Sequence, residues 1–213
     1  QCPVGKEKLV EIEENVRARE LGGLVESIGK WLLISIPLTG MFFLLNVPQS
    51  IGWLVFNEQY MALFLGLALC ATYLLIPLTP RRGRTSVPWY DIVAALGGLT
   101  IGLYLFVYYP SISNSLGEIS AERVILGCLT VLLLAEASRR LVGWPLVIIA
   151  ACFIFYALFA YIFPGDFYGK GWTINRLATY LYLDANGIFG QALQVGASIV
   201  VVFVIFGEVL YVV

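Results

Sequence analysis

The sequence predicts an all-α, polytopic membrane protein with about six transmembrane helices and a cytoplasmic or interfacial helix at the N-terminus. Of the 213 residues, 60% are hydrophobic and only 13% are charged, which is far more apolar than a soluble domain. Apolar runs close to the roughly 20 residues that a helix needs to cross a bilayer recur along the chain. These runs lack the alternating period of membrane β-strands.

Residues 1–27 are charged and helix-prone, and we interpret them as a leader helix. Leu9, Ile12 and Val16 form a weak apolar stripe at helical spacing. The helix either lies on a membrane or partner surface or is a solvated leader. The solvated leader is slightly favoured, because acidic residues are at least as common as basic residues here and would not attract an anionic surface.

Six spans are predicted in order, and short signals mark some of them. Pro37 lies inside the first span, where it removes a helix hydrogen bond and favours a kink. Gly98 and Gly102 in the third span have the spacing that lets two helices approach closely, and we assign them to packing. Ser120 is placed to cap the fourth span. The spans are 28–47, 59–77, 92–109, 124–138, 142–163 and 188–213, with a short interfacial helix between the last two.

The distribution of basic residues predicts the orientation of the spans. Ten of the 13 Lys and Arg residues fall before or at the start of the first span, or in the loops that follow the second and fourth spans. Because loops rich in Lys and Arg stay in the cytoplasm, the N-terminus is expected inside. The loops 46–58, 110–122 and 164–187 are then outside, in a multi-pass membrane protein.

The most distinctive polar feature is a charged cluster at the end of the fourth span, formed by Glu136, Arg139 and Arg140. The spacings of three and four residues put the carboxylate beside both guanidinium groups on one helix. One interpretation is a charge pair inside the bundle that orders the helix junction or couples to a partner. The other, which we favour, is an anchor at the cytoplasmic edge with snorkelling arginines.

Two further polar features lie in or near the sixth span. Glu208 falls in an apolar run, where it either pairs across helices, binds a cation or sits near the inner interface. Asp184 or Asn186 is expected to cap the last helix. The alternative for this segment is that the helix N-terminus approaches an anionic solute.

Little in the chain is typical of catalysis, and we expect no enzyme activity. The sequence has no His, which removes His-based triads, metal ligands and proton relays. Three of the four Cys residues, Cys70, Cys128 and Cys152, lie in apolar spans without metal-ligand spacing, so they are expected to act as small hydrophobic residues. No cofactor or metal is predicted for this chain, and near-zero net charge gives no argument for nucleic acid.

Several segments together resemble the fused membrane permease of tripartite ATP-independent periplasmic (TRAP) transporters, in the branch that works with TAXI-type binding proteins. The family has a Leu-rich helix that ends in Glu-Ala-Thr-Arg-Arg, which residues 136–140 match with Ser at the third position. Pro164 and Gly165 match a Pro-Gly after the next span, and residues 182–190 match a Tyr-x-x-x-x-Gly-Ile-Phe-Gly segment. The VPWYD stretch at 87–91 also fits. The chain departs from the family pattern at two places. The His that the family has after the Pro-Gly is absent, and Tyr168 or Lys170 occupies that neighbourhood. The Arg and His that the family has at the start of the second span are replaced by other residues around 58–60.

The resemblance implies a domain organisation. Residues 28–141 would form a Q-like four-helix membrane module, and residues 142–213 would be the first helices of an M-like module. The Q-like module belongs to a static scaffold against which a transport domain moves in an elevator-like way. We expect this chain to be part of a longer fused permease, since it starts at Gln1 and ends in an apolar run.

The resemblance also implies a function. The family imports small organic acids or related carboxylates, driven by a sodium gradient and delivered by a periplasmic solute-binding protein. Sodium and substrate would bind to broken helices of the M-like module, a common site in secondary transporters, so no substrate-binding residue is assigned here. The three outer loops are candidate docking faces for the binding protein. A structural or assembly subunit of another membrane complex, without a transport path, is the alternative.

Overall fold

The computed structural model describes residues 24–45, 47–50, 52, 55–77, 87–113, 120–164, 168–184 and 186–212. Every regular element within these ranges is a helix, so the all-α prediction is confirmed. Residues 1–23, which contain most of the predicted leader helix, lie outside the described part. So does the loop after the second predicted span, which contains Arg81, Arg82 and Arg84.

The helices follow the predicted spans closely. In chain order they are α1 (Leu24–Leu44), α2 (Val47–Ser50), α3 (Asn57–Leu75), α4 (Trp89–Ser113), α5 (Ala121–Leu141), α6 (Trp144–Phe159), α7 (Ile174–Leu183), α8 (Gln191–Val195) and α9 (Val201–Val212). A 3₁₀ turn, Ala160–Ile162, extends α6. A π-helical segment, Gly196–Val200, joins α8 to α9 in one continuous helix.

Five helical segments among the described residues are long and apolar enough to cross a membrane. They correspond to the predicted spans one, two, three, five and six. The predicted fourth span is the exception. Its helix, α5, has 21 residues, but Glu136, Arg139 and Arg140 lie near its C-terminal end. It therefore has the length of a membrane helix without the apolar composition of the other five.

Local chemistry explains where α5 begins and ends. The Ser120 hydroxyl accepts a hydrogen bond from the Arg123 N–H at 3.4 Å, which confirms the predicted cap. At the other end, Gly143 takes a φ of 105°, a left-handed conformation that suits a residue without Cβ. Pro145 follows in the first turn of α6, where a missing N–H costs nothing. The chain thus passes from α5 to α6 within two residues.

The core lies where α3, α4 and α5 pack together, with α7 against α5. A Cβ at Gly102 would lie 2.6 Å from the Ala62 carbonyl oxygen and 2.9 Å from the Gly66 Cα. This contact confirms that the glycine pair in the third span serves packing. A Cβ at Gly127 would likewise lie 2.6 Å from the Ala178 carbonyl oxygen, so α7 approaches the α5 backbone directly.

The short helix α7 packs into the core. The sequence predicts a short interfacial helix here, and one face of the helix is buried inside the protein through Ala178, Thr179, Tyr182 and Leu183. By contrast, α6 has no buried residue, and only 6% of the Gln191–Tyr211 segment is buried. The described residues therefore include a packed α3–α4–α5–α7 core and three helical segments, α1, α6 and Gln191–Tyr211, with largely uncovered apolar surfaces.

Candidate functional site

The charged residues of α5 form a network that reaches two other helices. Arg139 donates from Nε to Glu136 Oε2 and from Nη2 to Glu136 Oε1, both at 2.8 Å. This two-bond geometry is the strong form of an Arg–carboxylate pair. The Arg139 guanidinium also lies 5.2 Å from the Trp144 ring centroid, within cation–π range. Both partners of the ion pair keep partial access to solvent.

Arg140 forms the buried half of the network. Its Nε donates to Glu136 Oε1 at 3.0 Å, its Nη1 to the Ile76 carbonyl at 3.1 Å and its Nη2 to Asp91 Oδ1 at 2.8 Å. The side chain is only 4% exposed and that of Asp91 is fully buried. A charged pair this deep is retained only where its hydrogen bonds are met. Here all three guanidinium nitrogens have partners.

Tyr73 forms the wall of the Arg140 pocket. The Arg140 guanidinium lies 4.7 Å from the centroid of its ring. The Tyr73 hydroxyl donates to the Leu133 carbonyl at 2.7 Å, so the ring is held between α3 and α5. An aromatic face offers an arginine an electrostatic contact without competing for its N–H donors. The pocket thus surrounds the guanidinium with acceptors at its edge and a ring on its face.

The network fixes three helix ends on one side of the protein. Ile76 caps the C-terminal end of α3, Asp91 lies in the first turn of α4 and Arg140 in the last turn of α5. Antiparallel neighbours must bring these ends together, and the observed contacts agree with spans that alternate in direction. The arrangement holds helices in place, and it offers no nucleophile next to a base.

The two interpretations of the Glu136, Arg139 and Arg140 cluster can be compared with this geometry. Arg140 differs from a snorkelling arginine, because its side chain turns into the bundle and meets an acidic residue on another helix. Arg139 is 28% exposed and is compatible with either interpretation. Sequence reasoning missed the role of Asp91, whose only signal was its place in the VPWYD stretch.

The predicted cap of the last helix is wrong. The residue that precedes α8 is Gly190, and no side chain caps it. Asp184 instead accepts from the N–H of Asn186 at 2.9 Å and from its Nδ2 at 3.2 Å, closing a local turn. A short Asp side chain readily bonds to the backbone two residues on, which removes it from the helix start. Asn186 is exposed, and the Glu208 side chain lies outside the described part.

The metal-ligating side chains that the structure describes do not form a cluster. Among the described residues, no group of three or more His, Cys, Asp or Glu side chains is placed to hold a metal ion. Cys70 is buried, as expected of a small hydrophobic residue, whereas Cys128 is half-buried and Cys152 is exposed on α6.

Comparison with known proteins adds no relative. The chain matches no family model, and no curated protein or solved structure is significantly similar to it.

Proposed function

We propose that this chain is the membrane scaffold part of a sodium-coupled secondary transporter of the TRAP type. Such a transporter imports small organic acids or related carboxylates delivered by a periplasmic solute-binding protein of the TAXI type. Support comes from the resemblance at residues 136–140, 164–165 and 182–190, together with the membrane-helix character of the fold.

The Arg140 network is the observation that carries the scaffold part of this proposal. Separating α4 from α5 would expose the Arg140 guanidinium and the Asp91 carboxylate, which are 2.8 Å apart and almost fully buried. Leaving either charge buried without its partner would cost about 3–5 kcal/mol, so the two helix ends are held in register. The glycine contact between α3 and α4 adds a close backbone approach. These helices are therefore suited to remain fixed while another domain moves.

The proposed placement follows the distribution of basic residues. The protein is a multi-pass component of a bacterial inner membrane, with the N-terminus and the Arg140 network at the cytoplasmic side. The M-like transport module, fused or separate, is its partner in the bilayer, and the TAXI-type receptor docks on the outer loops. Sodium binds in the complete transporter, outside this chain.

A structural or assembly subunit of another membrane complex is the second candidate. The same Arg140 network favours it equally, because a fixed helix bundle serves any assembly. The two candidates differ in one respect: the transporter scaffold operates in a complex that moves solute. They also differ in whether a soluble receptor binds the outer face.

The test is uptake by the complete native complex that contains this chain, reconstituted in liposomes. Radiolabelled small carboxylates are offered with the receptor under an inward sodium gradient, and with potassium replacing sodium as the control. We expect uptake that requires both sodium and the receptor. A stable complex that takes up no carboxylate under either gradient would reject the transporter and leave the assembly subunit.

A further inference from the structure

The last helix contains an interruption that the sequence did not predict. Residues Gly196–Val200 form a π-helix between two α-helical pieces. Such turns are rare, hold one more residue than an α-turn, and frequently occur at functional sites. The Ser198 hydroxyl donates to the Gln194 carbonyl at 2.6 Å, an additional bond across the widened turn.

The π segment touches α1 at a glycine. A Cβ at Gly40 would lie 2.8 Å from Val201 Cγ1, 3.3 Å from Val201 Cβ and 3.1 Å from the Ala197 carbonyl oxygen. Gly40 is buried, and because it has no side chain, the last helix packs against the backbone of α1 at this position. The residue that follows the π segment, Val201, thus packs directly on α1.

The extra residue of the π turn sets which side chain meets Gly40. If Gly196–Val200 became α-helical, everything beyond it would turn by about 100°, the angle of one residue in an α-helix with 3.6 residues per turn. The position now held by Val201 would then be taken by Val200. The helix before the π segment would keep its place.

The sequence makes these two arrangements nearly equivalent. Val200, Val201 and Val202 are consecutive, so the side chain that meets Gly40 is a valine in either register. From Val201 to Phe206 every residue is apolar, and Val202, Phe203, Val204 and Phe206 are exposed in the observed register. Over Val201–Phe206, rotation in a lipid environment would exchange one apolar surface for another, and the same rotation would turn Glu208 by the same angle.

We propose that Gly196–Val200 is a register switch, which converts between π- and α-helical forms and rotates α9 against α1. The π form places Val201 at Gly40, and the α form places Val200 there. The rest of the bundle, held by the Arg140 network, does not move. This switch is independent of the identity of any transported solute.

Disulfide trapping in the full chain tests the switch directly. The four native cysteines are replaced by alanine, and Gly40→Cys is combined with Val200→Cys, Val201→Cys or Val202→Cys. The Cβ separation of 3.3 Å at Val201 is close to that of a disulfide. Val201→Ala accompanies the Val200 and Val202 changes, because it removes the Cγ1 atom that would collide with position 40.

We expect cross-links at both Val200 and Val201, several-fold above the yield at Val202, which neither register brings to Gly40. Deletion of Gly196 removes the extra residue, so the Val200 cross-link should be lost while the Val201 cross-link remains. A Val200 yield equal to that at Val202 would overturn the proposal. Equal yields at all three positions would also overturn it, because they indicate a loose helix rather than two registers.

Discussion

Asp91→Asn is expected to destabilise the protein by about 3 kcal/mol, because it leaves the Arg140 charge buried without its closest acidic partner. Removing one member of a buried pair costs about 3–5 kcal/mol. The lower end applies here, since Arg140 keeps its bonds to Glu136 and to the Ile76 carbonyl. The amide group introduced by the substitution would also retain an oxygen that can accept a hydrogen bond.

Equilibrium unfolding in mixed micelles, followed by far-UV circular dichroism as the denaturing detergent is increased, measures this loss. Glu26→Gln is the matched control. It neutralises the acidic partner of the Lys30 ion pair, whose side chains are 70% and 46% exposed, so the unfolding midpoint should stay where it is. Both substitutions remove one negative charge, but the Asp91 carboxylate is buried whereas the Glu26 carboxylate is exposed.

The double variant Asp91→Leu with Arg140→Met separates loss of the pair from loss of packing. Because apolar side chains of similar size replace both charges, it should be more stable than either single variant. An Asp91→Asn protein as stable as the unaltered chain would refute the reasoning. So would a double variant whose destabilisation equals the sum of the two single losses.

Three smaller changes test other contacts. Gly102→Val forces a side chain against the Ala62 carbonyl and should cost about 1–3 kcal/mol in the same unfolding assay, whereas Gly97→Ala, whose Cβ meets only a side chain at 3.6 Å, should be tolerated. Tyr73→Phe removes the hydroxyl bond to α5 and should cost about 1 kcal/mol, with unchanged helicity in circular dichroism. Ser120→Ala removes a long cap bond and should cost about 0.5 kcal/mol, with faster amide hydrogen exchange confined to the first turn of α5.

The sequence predicted the helices well because helix formation depends on local pattern. Runs of apolar residues, the Ser120 cap and the Glu136 spacings are all visible within one or two turns of the chain. The pairing of Arg140 with Asp91 joins residues 49 positions apart, and only the packing of α4 against α5 brings them together. No local pattern shows which face of α5 turns inward, so the sequence alone favours the snorkelling interpretation.

The errors near the C-terminus have the same origin. Asp184 has a residue type suited to a helix cap, yet it satisfies a nearby backbone N–H first, and the chain makes further turns before α8 begins. The π segment, Gly196–Val200, contains no proline from which an irregular helix could be predicted. Its position next to Gly40 is a property of two helices at opposite ends of the sequence.

The burial of Arg140 has a consequence for how the protein enters the membrane. Because α5 ends in three charged residues, it is poorly suited to partition into lipid as an isolated helix. Its acidic partner lies at the start of α4, which is made earlier during synthesis. If α4 and α5 leave the insertion machinery together, as an antiparallel hairpin, the guanidinium pairs with Asp91 as soon as the two helix ends meet. Assembly of the bundle would then be tied to the order of translation, with α4 held at the insertion site until α5 is complete.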